Sequence, residues 1–280
     1  MPNIIMIYNS CSLKRFTDAD RTTDMNDDLL TISVSDDAVA TLVMNRPGKR
    51  NAMNDELLAA LDRFFSAPPE GVKAVVLTGT EGHFCSGLDL AEHTQRDAED
   101  TMHHSRRWHA VMDRIQFGGL PVVSAMFGAV IGGGLELATA THVRIAEPST
   151  IFQLPEGRRG IFVGGGASVR VGKILGADRL IEMMLTGRKY GPDAGLALGL
   201  AHYSVRDGEA LAMAQDFARK IAANAPLSNY IMIQAIARIE DMSKTDGLFT
   251  ESLCAAITQT SPDAIEGLQA FLQKRDPSFR

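Results

Sequence analysis

Hydrophobic positions along this 280-residue chain change period from short β-like runs to helical spacing. The change predicts strands first and helices afterwards. From Leu29 to Met44, LLTISVSDDAVATLVM forms two β-rich runs around Ser35-Asp36-Asp37, whose turn formers predict a hairpin. After NRPGKRNA, Asn54 is placed to cap a helix DELLAALDRFF, with Leu57, Leu58, Leu61, Phe64 and Phe65 on one face and Pro68-Pro69 beyond its end. VKAVVLTG, PVVSAMFG and HVRIA are short β-rich runs, the pattern of parallel strands buried on both faces. With helical segments between them, the first part reads as an α/β core.

Beyond about Gly176 the pattern is almost wholly helical, from ADRLIEMMLTG to SPDAIEGLQAFLQKR. A strand-rich core followed by a helical tail predicts that the tail packs on a neighbouring subunit. No repeat of fixed period is visible. The first 24 residues have a short apolar start and then a polar stretch without periodicity, so residues 1–26 are expected to be a disordered extension. Domain-like sequence begins near Met25, which favours an over-long start. Targeting fits less well, because Asp18 and Asp20 interrupt Lys14, Arg15 and Arg21.

Charge and cysteine usage narrow the function classes. The net charge is −6 with both signs scattered, which leaves no basic stripe for nucleic acid. The longest apolar runs are broken by glycine and followed by polar residues, so no membrane span is expected. Cys11, Cys85 and Cys254 are odd in number and form no CxxC pair. That excludes a disulfide framework or a zinc site and predicts a cytoplasmic setting.

The candidate chemistry centres on Gly128 to Glu136, GAVIGGGLE, which reads as the end of a strand and turn followed by a helix beginning near Gly133. Backbone amides freed at a helix start can hold a developing oxyanion. Glu136, three residues after Gly133, shares that helix face, and apolar Leu135, Leu137 and Ala138 predict its burial. Glu156 is a second candidate acid, beyond the strand HVRIA. No GxGxxG or GK[ST] motif is present, so a dinucleotide turn and a phosphate loop are excluded. Two acids and an anion hole suggest chemistry beside a carbonyl; a tight packing turn and an ordinary loop at FQLPEGRRG are the alternatives.

Three separated motifs resemble the crotonase superfamily, the enoyl-CoA hydratase/isomerase family: NRPGKRNAM (Asn45 to Met53), HFCSGLDL (His83 to Leu90) and GAVIGGGLELA. The resemblance covers roughly Asp28 to Arg280. It implies an α/β, crotonase-like spiral of ββα units over residues 27–187, holding the active site. Residues 188–280 would form a helical oligomerisation segment, giving a homotrimer or a dimer of trimers.

It also implies a function: reversible hydration of 2-enoyl-CoA thioesters. Leu88 and Gly133 would supply the oxyanion amides, Glu136 would activate water and Glu156 would protonate Cα. Coenzyme A, part of the substrate, would lie along Ser86, Gly87, Leu88, Asp89, Leu90, Gly132 and Gly133. Arg46 and Lys49 are candidates for its phosphates, and Lys274 and Arg275 for those of a neighbour's ligand. No further cofactor and no metal is implied.

Departures from the family pattern matter as well. Gly164 stands where dienoyl-CoA isomerases and aryl-CoA dehalogenases place an aspartate, so those branches are disfavoured and His109 is read as a helix-face or pocket-wall residue. Val163 replaces a proline, His142 an aspartate, and Gly157-Arg158-Arg159-Gly160 a more apolar stretch. His103, His104, Trp108 and His109 on one helix suit either a polar or aromatic acyl group or a partly exposed amphipathic helix. Alternatives are therefore a Δ3,Δ2-enoyl-CoA isomerase, a feruloyl-like hydratase/lyase, or a non-catalytic scaffold. Cys85, with no His/Asp partner in the pattern, is expected to be a packing residue.

Overall fold

The computed structural model describes residues 28–91 and 96–279. The expectation for residues 1–26 lies outside them. Strands β1 (Leu30–Val34) and β2 (Val39–Met44) form the predicted antiparallel hairpin, with Leu30 opposite Met44. Helix α1 (Asp55–Ser66) is capped by Asn54, whose side chain accepts the Leu57 amide at 3.0 Å, and it stops before the two prolines.

The chain continues through β3 (Ala74–Gly79), α2 (Ala98–Phe117), β4 (Val122–Met126), β5 (Ala129–Ile131), α3 (Gly133–Ala140), β6 (Val143–Ala146) and β7 (Ile151–Gln153). Then follow α4 (Ala167–Leu175), α5 (Ala177–Thr186), α6 (Pro192–Ala197), β8 (Tyr203–Ser204), α7 (Ala210–Ala222), α8 (Pro226–Ile239), α9 (Lys244–Gln259) and α10 (Pro262–Gln273).

Six strands make the main sheet in the order β1-β2-β3-β4-β6-β8, parallel after the first hairpin. β5 and β7 pair in a second, parallel two-stranded sheet. The segments β4-β5-α3 and β6-β7-α4 are successive turns of the expected ββα spiral, each giving one strand to each sheet. Every residue of β3 and β4 is buried, Thr78 and Ser124 included, as expected of central parallel strands covered on both faces.

One face of the main sheet joins α1, α2 and α3 in the larger core, with Phe64, Phe84, Met112 and Phe152 almost wholly enclosed. On the other face, Ala210, Ala214, Ala218 and Ala222 of α7 pack on Val39, Val76, Val123 and Ile145. Alanines four residues apart line one side of a helix and let it approach the strands closely.

The helical part begins earlier than its sequence pattern indicated, with α4, and it is interrupted by β8, which pairs with Ile145 and Ala146 of β6. Two residues are too few to display a strand period. Because β8 and α7 belong to the main sheet and its cover, the boundary at 187/188 does not separate core from tail. Among the described residues no helix is long and apolar enough to cross a membrane.

Candidate active site

The loop after β3 is held from both sides. Cys85 bridges to β5, donating to the Ala129 carbonyl at 2.8 Å and accepting from Ile131 at 3.1 Å. Further on, Gly87 accepts from the Met53 amide at 2.7 Å and Asp89 donates to the Met53 carbonyl at 2.9 Å. The Leu88 amide lies between these bonds and has no acceptor among the described residues.

Gly132 turns β5 into α3 with φ 54° and ψ −123°, a backbone conformation open to glycine and strained for other residues. Gly133 is the first residue of α3, so its amide has no acceptor within the helix. A Cβ placed on Gly133 would lie 3.4 Å from the Leu88 nitrogen and 2.7 Å from the Trp108 ring, so the two amides border one small space. Two unused backbone donors beside each other can hold an oxygen on which negative charge develops.

Both acids reach this space. Glu136, on the first turn of α3, is 4% exposed, and its Oε1 accepts the amides of Gly165 (2.8 Å) and Ala167 (3.0 Å). Burial raises its pKa, opposed by those amides and by the charge of Arg170. Glu156 opens a one-turn 3-10 helix, Glu156–Arg159, after β7. It is buried, its Oε2 has no hydrogen-bond partner, and burial, with the negative charge of Glu136, pushes its pKa up to about 7. Two carboxylic acids held this way can share one proton near neutral pH.

These groups open into a pocket of about 630 Å³ that also includes Ser86, Leu90 and the segment Ile161–Gly165. Its far wall is α2. Trp108 packs on Gly133 and Gly165, and its buried indole N–H has no partner. One turn earlier, His104 shares a 2.8 Å hydrogen bond with Asp55, and Arg96 pairs with the other oxygen of Asp55 at 3.2 Å. Burial lowers the His104 pKa. His109 stands on the helix face beside Ser105 and Arg106, and it does not line the pocket.

Several sequence-derived candidates have other duties. Arg46 donates to Asp89 at 3.0 Å and to the Ala52 carbonyl at 2.6 Å, so it locks the loop that contains Leu88 and is not presented to a phosphate. Burial raises the Asp89 pKa, but the Arg46 and Ala91 hydrogen bonds and the charge of Lys49 outweigh it and hold the carboxyl below its usual range. Lys49 remains exposed, and its carbonyl accepts from Ser86 Oγ at 3.1 Å. Arg275 is engaged with Glu266 at 2.6 Å. His142 accepts from the Val122 amide and donates to the Gln116 carbonyl, tying β4 to α2 away from the pocket. Cys85 is wholly enclosed and burial pushes its thiol up to about 12, as suits a packing residue.

The enoyl-CoA hydratase/isomerase family model matches residues 35–280. This chain belongs to that family. It is 32% identical over 251 residues to the human enoyl-CoA hydratase domain-containing protein 2, mitochondrial, covering 87% of this chain and 86% of the relative. It is 30% identical over 246 residues to enoyl-CoA hydratase EchA19 of Mycobacterium tuberculosis, covering 85% and 92%. A solved Rhodopseudomonas palustris protein, provisionally named an enoyl-CoA hydratase, superposes with a TM-score of 0.85 at 44% identity, covering 88% of this chain and 95% of that one.

For this member of the enoyl-CoA hydratase/isomerase family, sequence reasoning missed three residues that organise the site. Asn51 is fully buried; its amide donates to the carbonyls of Thr80 (3.0 Å) and His83 (2.7 Å), and its oxygen accepts the Arg46 amide at 2.9 Å. The NRPGKRNAM segment is thus a fastener for the loop after β3. Ser105 donates to the Gly164 carbonyl at 2.6 Å, and Arg170 to that of Gly165 at 3.3 Å. The asparagine in the NRPGKRNAM motif was the only available signal for any of the three.

Proposed function

We propose that this chain is an enoyl-CoA hydratase that adds water reversibly across the double bond of 2-enoyl-CoA thioesters. The observation that carries the reading is the meeting of Glu136 and Glu156 in one pocket with the unused amides of Leu88 and Gly133. In the forward direction the oxygen of water bonds to Cβ while Glu136 accepts its proton. The alkene π pair passes to Cα and the thioester oxygen, where the two amides stabilise the enolate, and Glu156 delivers a proton to Cα. Each such donor contributes about 3 to 4 kcal/mol to the transition state. The chemistry needs no electron transfer and no cofactor beyond the coenzyme A of the substrate.

Coenzyme A would run along Ser86 to Leu90, with Gly132 and Gly133 beneath the thioester and exposed Lys49 toward a phosphate. Arg46 would act indirectly by fixing Asp89. The exposed apolar residues of α9 and α10, among them Phe249, Leu268, Phe271 and Leu272, support a homotrimer or dimer of trimers. Free thiols at Cys85 and Cys254 suit the cytoplasm, although the human relative is mitochondrial by name.

A second reading is a Δ3,Δ2-enoyl-CoA isomerase. It is favoured by the contrast between Glu136, with one oxygen fixed by two amides, and Glu156, with one oxygen unengaged. A panel of short, long, branched and aromatic 2- and 3-enoyl-CoAs, followed by absorbance and product mass, separates the two. A hydratase gives a mass gain of one water, and both Glu136→Gln and Glu156→Gln lose about 100-fold or more in kcat while retaining ester binding. Near-normal turnover in both variants would sink the two-glutamate mechanism, and double-bond migration without water addition would establish the isomerase.

A further inference from the structure

The groove that holds Glu136 is built by a side chain from another helix. Arg170 lies on the first turn of α4, 9% exposed, with each of its three guanidinium nitrogens engaged. Nε donates to Gln116 Oε1 at 2.7 Å, Nη2 to Asp113 Oδ1 at 2.5 Å, and Nη1 to the Gly165 carbonyl at 3.3 Å. Gln116 and Asp113 belong to α2, so Arg170 fastens α4 to that helix.

The same fastening shapes the segment whose amides hold Glu136. Gly165 turns its carbonyl to Arg170 and its amide to Glu136 Oε1. Gly166 follows with φ 111°, and a Cβ there would meet Arg170 Nη1 at 2.2 Å, so the guanidinium is packed directly against the turn. Ala167 then gives the second amide to Glu136. Ser105 of α2 holds the preceding residue through the Gly164 carbonyl. An arginine fork in a fixed plane can set such a loop to within a few tenths of an ångström, which a flexible ammonium cannot do as well.

We infer that Arg170 is a positioning residue for Glu136, aligning its carboxylate through the Gly165–Ala167 amides. Its positive charge also opposes the rise that burial gives the Glu136 pKa. The inference rests on the reading of Glu136 as the base. Among the described residues, the other charged or titratable groups bearing on this carboxylate are few. Glu156 faces it from the 3-10 turn, with Arg159 acting on Glu156, while Asp113 and His109 of α2 face Arg170. Removing the Arg170 charge leaves Glu156 as the dominant neighbour of Glu136, so Glu136 would hold its proton to higher pH.

The test compares wild type, Arg170→Met, Arg170→Lys and Asp113→Asn in full-length protein, by crotonyl-CoA hydration across pH and by ¹³C-detected titration of the Glu136 carboxyl. Expected for Arg170→Met are a fall in kcat approaching 100-fold with KM little changed, since misplacement of a reacting group by about 1 Å costs that much. The acid limb of the rate profile and the Glu136 titration should both move to higher pH. Arg170→Lys should restore the titration and only part of kcat, and Asp113→Asn should lower kcat more mildly.

An Arg170→Met enzyme with wild-type kcat and an unmoved Glu136 titration overturns the inference. So does a loss that appears only in KM or thermal stability. Should Arg170→Met not fold, Arg170→Lys and Asp113→Asn decide by the same readings. If wild type hydrates nothing, the hydratase reading fails, while the titration still decides whether Arg170 governs Glu136.

Discussion

A side chain at Gly132 would bring its Cβ to within 2.8 Å of Glu156 Oε1, on a backbone whose φ is 54°. The turn into α3 and the seat of the second acid are therefore one feature. Gly132→Ala should cost about 1 to 3 kcal/mol of stability from strain alone. It should also displace Glu156, so kcat should fall further than the thermal shift accounts for. Melting curves with steady-state rates on the same preparation check this, and an unchanged kcat would separate the turn from the acid.

Glu156 makes stability depend on pH in an unusual direction for a carboxylate. Its folded pKa, raised mainly by burial to about 7, exceeds the ordinary value of 4.5, so the native state binds more protons than the unfolded chain between those values. Stability should thus fall as pH rises through that window, by up to about 3 kcal/mol from this group. Glu156→Gln should remove the fall and melt higher than wild type at pH 8. Denaturant unfolding of both proteins at pH 5 and pH 8 measures the difference directly. Hydration by the wild type should also decline above about pH 7, where Glu156 loses the proton it would give to Cα.

Asn51 offers a test of the fastening of the loop after β3. Asn51→Ala strips hydrogen bonds from the Thr80 and His83 carbonyls and from the Arg46 amide. The expected cost is about 2 to 4 kcal/mol, with weaker binding of a non-reacting acyl-CoA because the Leu88 amide is no longer held in place. Calorimetric binding and urea unfolding report the two effects separately.

Assembly should depend on the last two helices. Phe271 is 80% and Leu272 71% exposed, and Phe249 adds a further large apolar surface on α9. Phe249→Asp with Phe271→Asp should shift the mass in solution from a trimer or hexamer to a monomer. Sedimentation velocity distinguishes these masses, and a wild type that sediments as a monomer would end the trimer proposal.

Much of this protein is determined within short stretches of its sequence. The hairpin at Ser35-Asp36-Asp37, the cap at Asn54 and the buried runs in β3, β4 and β6 follow from local turn chemistry and periodicity. The place of Glu136 one turn into the glycine-started helix is equally local, because a spacing of three residues fixes a shared face.

Tertiary structure decided what lies across from that helix. β5, β7 and β8 span two or three residues and exist through their partners, since so short a strand carries no period of its own. The pairing of Arg46 with Asp89, the clamp of Asn51 on Thr80 and His83, and the reach of Ser105 to Gly164 join groups far apart in the chain. Most of their acceptors are backbone carbonyls, which every residue type possesses, so the side-chain pattern could not mark them. Glu156 reads as an ordinary loop acid until folding removes water from around it and sets it against Gly132. Its proton affinity is a property of that burial, which only the packed structure creates.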